Sequence, residues 1–409
     1  MDQSLLWQSE PVSYLDDVQF ESPFKSFWMG GYECADQMNA FGNRVDLLSD
    51  TGHIRNIDRD YADLDVLGIK TVREGIRWSR VEVRPYEYHW DEVKLMIAAG
   101  KMHGIQQLWD ICHFGFPDDL TPLHPMFARR FAAICRSFAG IYRSIIPDGE
   151  LIVTPINEVS FLSWLGGDVK GTSPYCQGQG WQVKYALMKA YIEGIIAMKE
   201  VDPNIKILAT EPLINIVSAP YADEEEILNV FLKNEEQFQV LDILTGRMCP
   251  ELSGSSDLLD IIGYNFYYNN QWEFGSNRIL EWHGPEKDYR YTPLNDLIQN
   301  YYTRYQKPLI IAETSHPGIH RPEWMHMIGI ECHKILENDI PLWGVCWYPL
   351  LNRPDWDNPS VWHNSGIWEG NVDEGNEART VHSETKNEFI EAQIKMEKYF
   401  NRMTDLNEK

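Results

Sequence analysis

Short runs of apolar residues recur along the chain, and segments with helical periodicity separate most of them. The runs show little alternation between apolar and polar residues, which is typical of strands that are covered on both faces. We predict eight strands at these positions: residues 24–31, 69–73, 105–112, 151–156, 205–210, 259–266, 308–312 and 342–347.

The intervening segments place apolar residues three and four positions apart, as one face of a helix requires. Ile57, Tyr61, Leu64 and Leu67 align in this way, and Gly68 is placed to end the helix. The acidic residues 223–226 suit a solvated helix start. Further helices are predicted at residues 91–103, 126–142, 182–200, 322–337 and 385–403.

A repeated strand-then-helix order predicts a parallel sheet, and eight such units can close into a (β/α)8 TIM barrel. An open doubly wound sheet is the alternative, and it normally carries a glycine-rich phosphate-binding motif. The chain has no G-x-G-x-x-G, and in its nearest approach to a Walker loop Thr172 stands where lysine is needed. No shift in composition marks a second domain. We therefore expect an α/β fold with a single barrel domain over residues 1–409 and loop insertions at its C-terminal face.

Charge and cysteine content disfavour several classes of protein. The chain has 61 acidic and 36 basic residues, a formal charge of −25, which opposes binding to nucleic acid or to an anionic membrane. The first 19 residues contain no basic segment followed by an apolar one, so we expect no secretory signal here, and the chain has no uninterrupted apolar stretch of the ~18 residues that a membrane span needs. Its seven cysteines form no C-x-x-C pair, which favours a reducing, cytoplasmic location over a disulfide framework.

Charged residues at the ends of three predicted strands suggest chemistry, because barrel enzymes carry their reactive groups there. Asn157 and Glu158 follow strand four, and Glu313 follows strand seven, which lies on the opposite side of an eight-stranded ring. Arg73 ends strand two, where its charge can keep Glu313 ionised, whereas Glu158 lacks such a partner and can stay protonated. Two facing carboxyl groups in different protonation states suit the cleavage of glycosidic bonds.

The motifs at the strand ends, taken in order, resemble those of glycoside hydrolase family 1, the β-glucosidase-like retaining glycosidases with a clan A barrel. The resemblance covers most of the chain, which is similar to a short and divergent member of this family. The matching segments are residues 27–30 with Gln37, 72–80, 113–117, 157–158, 262–267, and Trp347 with Asp355-Trp356.

This resemblance implies hydrolysis of β-glucosides or β-galactosides by double displacement. Glu313 would be the nucleophile, Glu158 the acid/base, and Arg73 and Tyr267 the residues that contact the nucleophile. The two carboxyl groups of a retaining enzyme lie ~5–5.5 Å apart. Sugar-binding roles are implied for Gln37, His113, Asn157, Asn265, Trp347, Asp355 and Trp356. No cofactor is expected, and the implied partner is a small-molecule glycoside.

The sequence departs from the family pattern in three places. Thr314 and Ser315 follow Glu313 where the family usually has Asn-Gly, and Asp355 replaces a glutamate and stands one residue late. The chain is also short between strands five and seven. A transglycosidase with the same machinery and a catalytically inactive sugar-binding barrel are the alternatives. We expect the acidic Asp355 to disfavour a phosphorylated sugar.

Several other polar and aromatic residues are candidate functional groups. Glu211 ends strand five and is a competing carboxylate, although that strand is not opposite strand four. Glu74 is expected to point away from the pocket in a structural ion pair. His316 and His320 stand four apart, but Pro317 and Gly318 between them prevent the helix that such metal ligands need. The candidates for an aglycone platform, or for core and loop anchors, are Trp164, Trp181, Trp272 and Trp282.

Overall fold

A computed structural model of the protein describes residues 22–370 and 379–407. Eight parallel strands form a closed barrel in which each strand pairs with its neighbours in chain order, and the last pairs with the first. The predicted (β/α)8 fold is therefore confirmed. The strands are β1 Trp28–Gly31, β2 Thr71–Gly75, β3 Gln106–Cys112, β4 Ile152–Ile156, β5 Lys206–Pro212, β6 Ile261–Asn265, β7 Leu309–Thr314 and β8 Leu342–Trp347.

Helices surround the barrel, and each helix predicted from the sequence is present with ends shifted by a few residues. Three helices between β4 and β7 were not predicted from the sequence, namely α4, α7 and α8. The helices of six residues or more that the structure describes are α1 His53–Asp63, α2 Asp91–His103, α3 Phe127–Ile145, α4 Val159–Gly167, α5 Gly180–Lys199, α6 Glu224–Glu235, α7 Gln239–Leu244, α8 Leu294–Tyr305, α9 Arg321–Glu337 and α10 Ser383–Asn407.

Shorter elements decorate this frame. Leu47–Asp50 and Trp78–Val81 are single helical turns, and Leu64–Leu67 is a 3-10 turn that continues α1 to Gly68, whose φ of 61° ends it as predicted. Other 3-10 turns lie at Glu236–Phe238, Pro250–Leu252, Ser256–Leu258 and Gly318–His320. Three two-stranded ribbons pair Glu82–Arg84 with Glu87–Tyr88, Asn215–Val217 with Gln271–Glu273, and Arg353–Pro354 with Trp362–His363.

The first strand begins four residues later than predicted, for a local reason. The backbone N–H groups of Lys25 and Ser26 both donate to the Thr71 side-chain oxygen, at 3.0 and 3.3 Å. The Ser26 hydroxyl in turn accepts from the Lys70 and Thr71 amides. Side-chain hydrogen bonds thus replace the strand ladder at this end of the barrel.

The barrel interior is filled rather than hollow. Apolar side chains from the strands meet on the axis, while a second and larger apolar layer lies between the strands and the helices. The axial cluster consists of Met29, Leu108, Ile152, Leu208, Ile261, Ile310, Ala312, Cys346 and Tyr348. This filling leaves polar groups at the C-terminal ends of the strands as the lining of the open face.

Within the described residues, no helix is both long enough and apolar enough to cross a membrane. The seven cysteines, all of which lie in this part of the chain, are free thiols.

A buried polar cluster fixes α1 to the outside of β2. The His53 ring bonds Asp60 at 2.7 Å and Glu74 at 3.0 Å, and Arg379 bonds Asp60 at 2.6 Å. Tyr61 donates to the same Glu74 oxygen at 2.7 Å. Glu74 thus faces away from the barrel mouth in a structural ion pair, as predicted. Burial opposes the charge on His53, but Glu74 and Asp60 outweigh burial and raise the pKa of His53 to about 9.

The raised pKa of His53 predicts a loss of stability at alkaline pH. A histidine with a higher pKa in the folded state stabilises that state fully below its unfolded value of 6.5, and this contribution disappears as the pH rises through about 9. We expect the His53 contribution to the free energy of unfolding to fall by on the order of 3 kcal/mol across this range.

Denaturant titrations at a series of pH values measure this contribution as the difference between the wild type and His53→Gln. His103→Gln is the matched control, because His103 forms an exposed pair with Asp58 at 3.2 Å. An equal pH dependence in the wild type and His53→Gln would contradict the prediction.

Candidate active site

The two glutamates singled out from the sequence stand at the same open face of the barrel. Glu158 is the second residue after β4, and Glu313 lies in β7, paired in register with Asn265 of β6. The Asn265 side-chain amide donates to the Glu158 carboxyl at 2.9 Å, so β6 connects the two acids. The structure therefore brings Glu158 and Glu313 into one polar pocket.

The backbone at Glu158 is set by a sharp turn between β4 and α4. Glu158 has a φ of 46°, in the left-handed region that residues other than glycine seldom occupy. The amide of Asn157 donates to the Cys112 carbonyl at 2.9 Å, and that of Glu158 donates to the Thr210 carbonyl at 3.1 Å. Hydrogen bonds to β3 and β5 thus hold the turn in place and direct the carboxyl group to the pocket.

Glu313 is held by a cation and a hydroxyl group. The Arg73 guanidinium donates to one carboxylate oxygen at 2.7 Å, and Tyr267 donates to the other at 2.8 Å. Arg73 is fully buried and also bonds Asp110 at 2.6 Å and the Ala312 carbonyl at 3.0 Å. Both oxygens of Glu313 accept hydrogen bonds, which suits a carboxylate that remains ionised and fixed.

Glu158 has the opposite environment. Burial, followed by repulsion from Glu313, raises the pKa of Glu158 to about 8, against the opposing effect of the Asn265 hydrogen bond. This shift favours the protonated form of the Glu158 carboxyl group, whereas Glu313 accepts hydrogen bonds from a cation and a hydroxyl group.

Asp110 is a central residue that the sequence reasoning missed. It lies within β3 and accepts from Arg73 and from His113 Nδ1, the latter at 2.8 Å. The other His113 nitrogen is 3.3 Å from the Asn157 amide, and Thr210 donates to Asn157 at 2.8 Å. A charged residue inside a buried strand was the available signal, because such a group needs a partner.

Glu33 is a second missed residue at the pocket. It follows β1, and its carboxylate lies 3.3 Å from His113 Nε2 and 3.2 Å from Arg353 Nε. Tyr348 donates to it at 3.4 Å and stacks over Arg73, with the guanidinium carbon 5.2 Å from the ring centre. Gly31 makes room for that ring, since a Cβ there would approach it to 2.2 Å. The sequence signal for Glu33 was an acidic residue two positions after the end of the first strand.

Some of the predicted sugar-binding residues join the hydrogen-bond network around the glutamates, and others have contacts of a different kind. Trp347 is fully buried and donates to the Ser365 carbonyl at 3.0 Å, and Gln37 is buried with its side-chain oxygen unpartnered among the described residues. Trp356 is half-buried against Phe114, with ring centres 5.5 Å apart. His113, Asn157 and Asn265 join the network around the glutamates.

Asp355 does not join that network. Its carboxylate bonds His363 at 2.8 Å and accepts from the amides of Asp357 and Asn358, both at 2.9 Å. Through these contacts Asp355 holds the loop in which it lies. Its interpretation as a sugar ligand gains no support from them, and neither does the expectation that it repels phosphorylated sugars.

Glu211 stabilises the start of the helix that follows Glu158. It is buried at the end of β5 and accepts from the Ser160 amide at 3.3 and 3.2 Å, in the first turn of α4. Burial raises the pKa of Glu211 to about 7, partly opposed by the Ser160 hydrogen bond and by Lys184. The contacts of Glu211 therefore fix the helix that Glu158 precedes.

The four candidate platform tryptophans differ in exposure. Trp164 and Trp181 are 49% and 42% exposed, whereas Trp282 is buried against Trp324. Trp272 is half-buried in a ribbon strand. Trp282 is thus a loop anchor.

Comparison with known proteins gives structural matches only. No protein-family model and no curated protein matches the chain. The beta-glucosidase from Thermotoga maritima in complex with glucoimidazole matches with a TM-score of 0.69 and 15% identity, over 90% of this chain and 96% of that one. The family 1 b-glucosidase from Thermotoga maritima in complex with isofagomine lactam gives 0.68 and 15%, over 90% and 96%. Beta-glycosidase BGL167 gives 0.65 and 17%, over 84% and 87%.

This likeness establishes the fold. The structural neighbours are family 1 β-glucosidases with the same eight-stranded barrel, and the match extends over nearly their whole length. Identities of 14–17% leave the activity and the roles of individual residues to be argued from the site itself.

The electrostatic coupling of the two glutamates predicts a measurable pKa change. Glu313→Gln removes the negative charge that disfavours ionisation of Glu158, so the pKa of Glu158 should fall from about 8. Carbon-13 NMR titration of labelled glutamate carboxyl groups measures this change, with Glu158→Gln used to assign the signal. Glu74→Gln is the control, because Glu74 lies outside the barrel mouth, and the pKa of Glu158 should not change in it. An unaltered pKa in Glu313→Gln would refute the coupling.

Proposed function

We propose that the chain is a retaining β-glycosidase of the family 1 type, with residues 1–409 forming one catalytic domain. Its substrates are β-glucosides or β-galactosides. The observation that carries the proposal is the contrast between the two acids: Glu313 is fixed by Arg73 and Tyr267, whereas Glu158 is partly buried and has a pKa that is raised towards the protonated form. This is the pair of states that double displacement needs. The fold of family 1 β-glucosidases in the neighbours adds support.

In the first step, the Glu313 carboxylate attacks the anomeric carbon while Glu158 gives its proton to the leaving oxygen. The bond to the aglycone breaks, and a covalent glycosyl ester forms on Glu313. As the negative charge of Glu313 is consumed, the repulsion that raised the pKa of Glu158 disappears. The ionised Glu158 then becomes a base.

In the second step, Glu158 takes a proton from water, and the resulting nucleophile attacks the anomeric carbon from the side of the departed aglycone. The bond to Glu313 breaks, and the sugar leaves with its original configuration. Arg73 and Tyr267 stabilise the carboxylate that is released. We assign sugar binding to Gln37, His113, Asn157, Asn265, Trp347 and Trp356, and leave out Asp355 because His363 and loop amides occupy its carboxylate.

The cellular location is part of the same proposal. Seven free thiols, five of them buried, suit a reducing environment such as the cytoplasm. Cys112 and Cys346 lie on barrel strands, Cys34 follows β1, Cys135 lies in α3 and Cys332 lies in α9.

Removal of the nucleophile tests the mechanism. Glu313→Ala should lower kcat for aryl β-glycosides by more than ~10³-fold, the scale expected when a covalent nucleophile is lost. Azide or formate should partly restore turnover and give a glycosyl product of inverted configuration, which NMR detects. Glu211→Ala is the matched control: it removes another buried carboxylate, and azide should not rescue it.

Full activity in Glu313→Ala would overturn the nucleophile assignment. Absence of any activity of the wild type towards a broad panel of nitrophenyl β-glycosides would favour the inactive sugar-binding barrel. Glycosyl transfer products formed in preference to hydrolysis when acceptor sugars are added would favour the transglycosidase.

The protonation state of Glu158 predicts the alkaline limb of the pH profile. The acid must hold its proton to assist departure of the aglycone, so kcat/KM for an alkyl glycoside should fall as the pH rises through about 8. Glu158→Gln should lower this activity by ~10²–10⁴-fold at neutral pH. The variant should still release dinitrophenol in a rapid first turnover, because that leaving group needs no proton. An alkaline limb that persists unchanged in Glu158→Gln would rule out this assignment.

A further inference from the structure

Two loops at the open face of the barrel bring two histidines and a glutamate together. His283 lies in the long connection after β6, His320 is the residue that precedes α9, and Glu323 lies in the first turn of that helix. We name these three residues the rim cluster. None of them belongs to the pocket that contains Glu158 and Glu313.

The donor atoms of the rim cluster are already close to one another. His320 Nδ1 lies 2.6 Å from Glu323 Oε2, and His283 Nε2 lies 3.7 Å from the same oxygen. One ligand atom from each residue falls within 4.8 Å of the other two. Tetrahedral zinc with bonds of ~2.0–2.1 Å requires donors roughly 3.4 Å apart. Small side-chain rotations therefore suffice to place all three around one ion.

The donor types also indicate which ion fits. Two imidazoles and one carboxylate are a common zinc set, in which a water molecule completes the tetrahedron. Magnesium and calcium require mostly oxygen ligands, of which this cluster offers a single carboxylate. The side chains of His283, His320 and Glu323 are 31%, 39% and 60% exposed, so an ion can enter from solvent.

The packing behind His283 holds its ring in place. Trp282 stacks on the ring, with centres 4.0 Å apart and planes 20° from parallel. Trp282 in turn meets the buried Trp324 edge-on at 5.0 Å, and Trp324 donates to the Thr314 hydroxyl at 2.8 Å. Thr314 is the residue after Glu313, so the cluster is connected by direct packing to the strand that carries the proposed nucleophile.

We propose that the rim cluster is a binding site for a divalent transition metal ion, with zinc as the best match. The ion joins the connection after β6 to the start of α9. Its binding orders the part of the pocket rim that precedes α8, and it does not depend on the proposed glycosidase activity.

Calorimetric titration of the full chain with zinc at neutral pH tests the site. We expect a single tight equivalent in the wild type, and a loss of affinity of ~10–100-fold or more in His320→Ala and in Glu323→Gln, since even residues that only orient a zinc ligand contribute this much. Magnesium should not bind.

His326→Ala is the matched control. His326 lies in the same helix and pairs with Glu388 at 2.9 Å, but among the described residues this pair has no third ligand. Zinc affinity should be unchanged in this variant. A loss of affinity equal to that of His320→Ala would overturn the site, as would unaltered binding in His320→Ala and Glu323→Gln.

Three further measurements keep the result unambiguous. Cobalt substituted for zinc should give visible bands of a nitrogen and oxygen site, and a sulfur-to-cobalt charge-transfer band would assign the ion to a cysteine and refute the proposal. Zinc should slow hydrogen exchange in residues 280–290 of the wild type and not of His320→Ala. Denaturant unfolding of each variant confirms that it is folded.

Discussion

The buried guanidinium of Arg73 connects most of the polar groups at the barrel mouth. It binds Glu313 and Asp110, and its Nη2 lies 3.2 Å from the Asn157 side-chain oxygen. A cation with no access to water needs these partners, and the carboxylates in turn need the cation. Because Asp110 lies in β3, Glu313 in β7 and Asn157 directly after β4, one side chain from β2 fixes the relative positions of groups at three other strands.

The protonation pattern follows from where this cation lies. Arg73 is beside Glu313, whereas among the described residues the Glu158 carboxyl group accepts from the neutral amide of Asn265. Two neighbouring carboxyl groups that are shielded from water cannot both ionise readily. The position of the arginine favours the charge on Glu313.

Much of this arrangement was predictable from the sequence, for physical reasons. Strands buried on both faces appear as apolar runs, and barrel topology brings the ends of the strands together at one face, so the positions of Glu158, Glu313 and Arg73 at the barrel mouth were predictable. Contacts between distant segments were not predictable. Glu33 and Asp110 belong to the polar network through their contacts with His113 and Arg73, which lie far away in the sequence. The Asp355 carboxylate bonds His363, eight residues away.

The apolar residues that fill the barrel axis have a consequence for how a sugar chain would be handled. The cup is closed beneath the glutamates, by side chains such as Met29, Leu208 and Ile310. A sugar chain could therefore not pass along the barrel axis, and a molecule can reach the two glutamates only from the open face. Whatever enters the mouth has to leave by the same face.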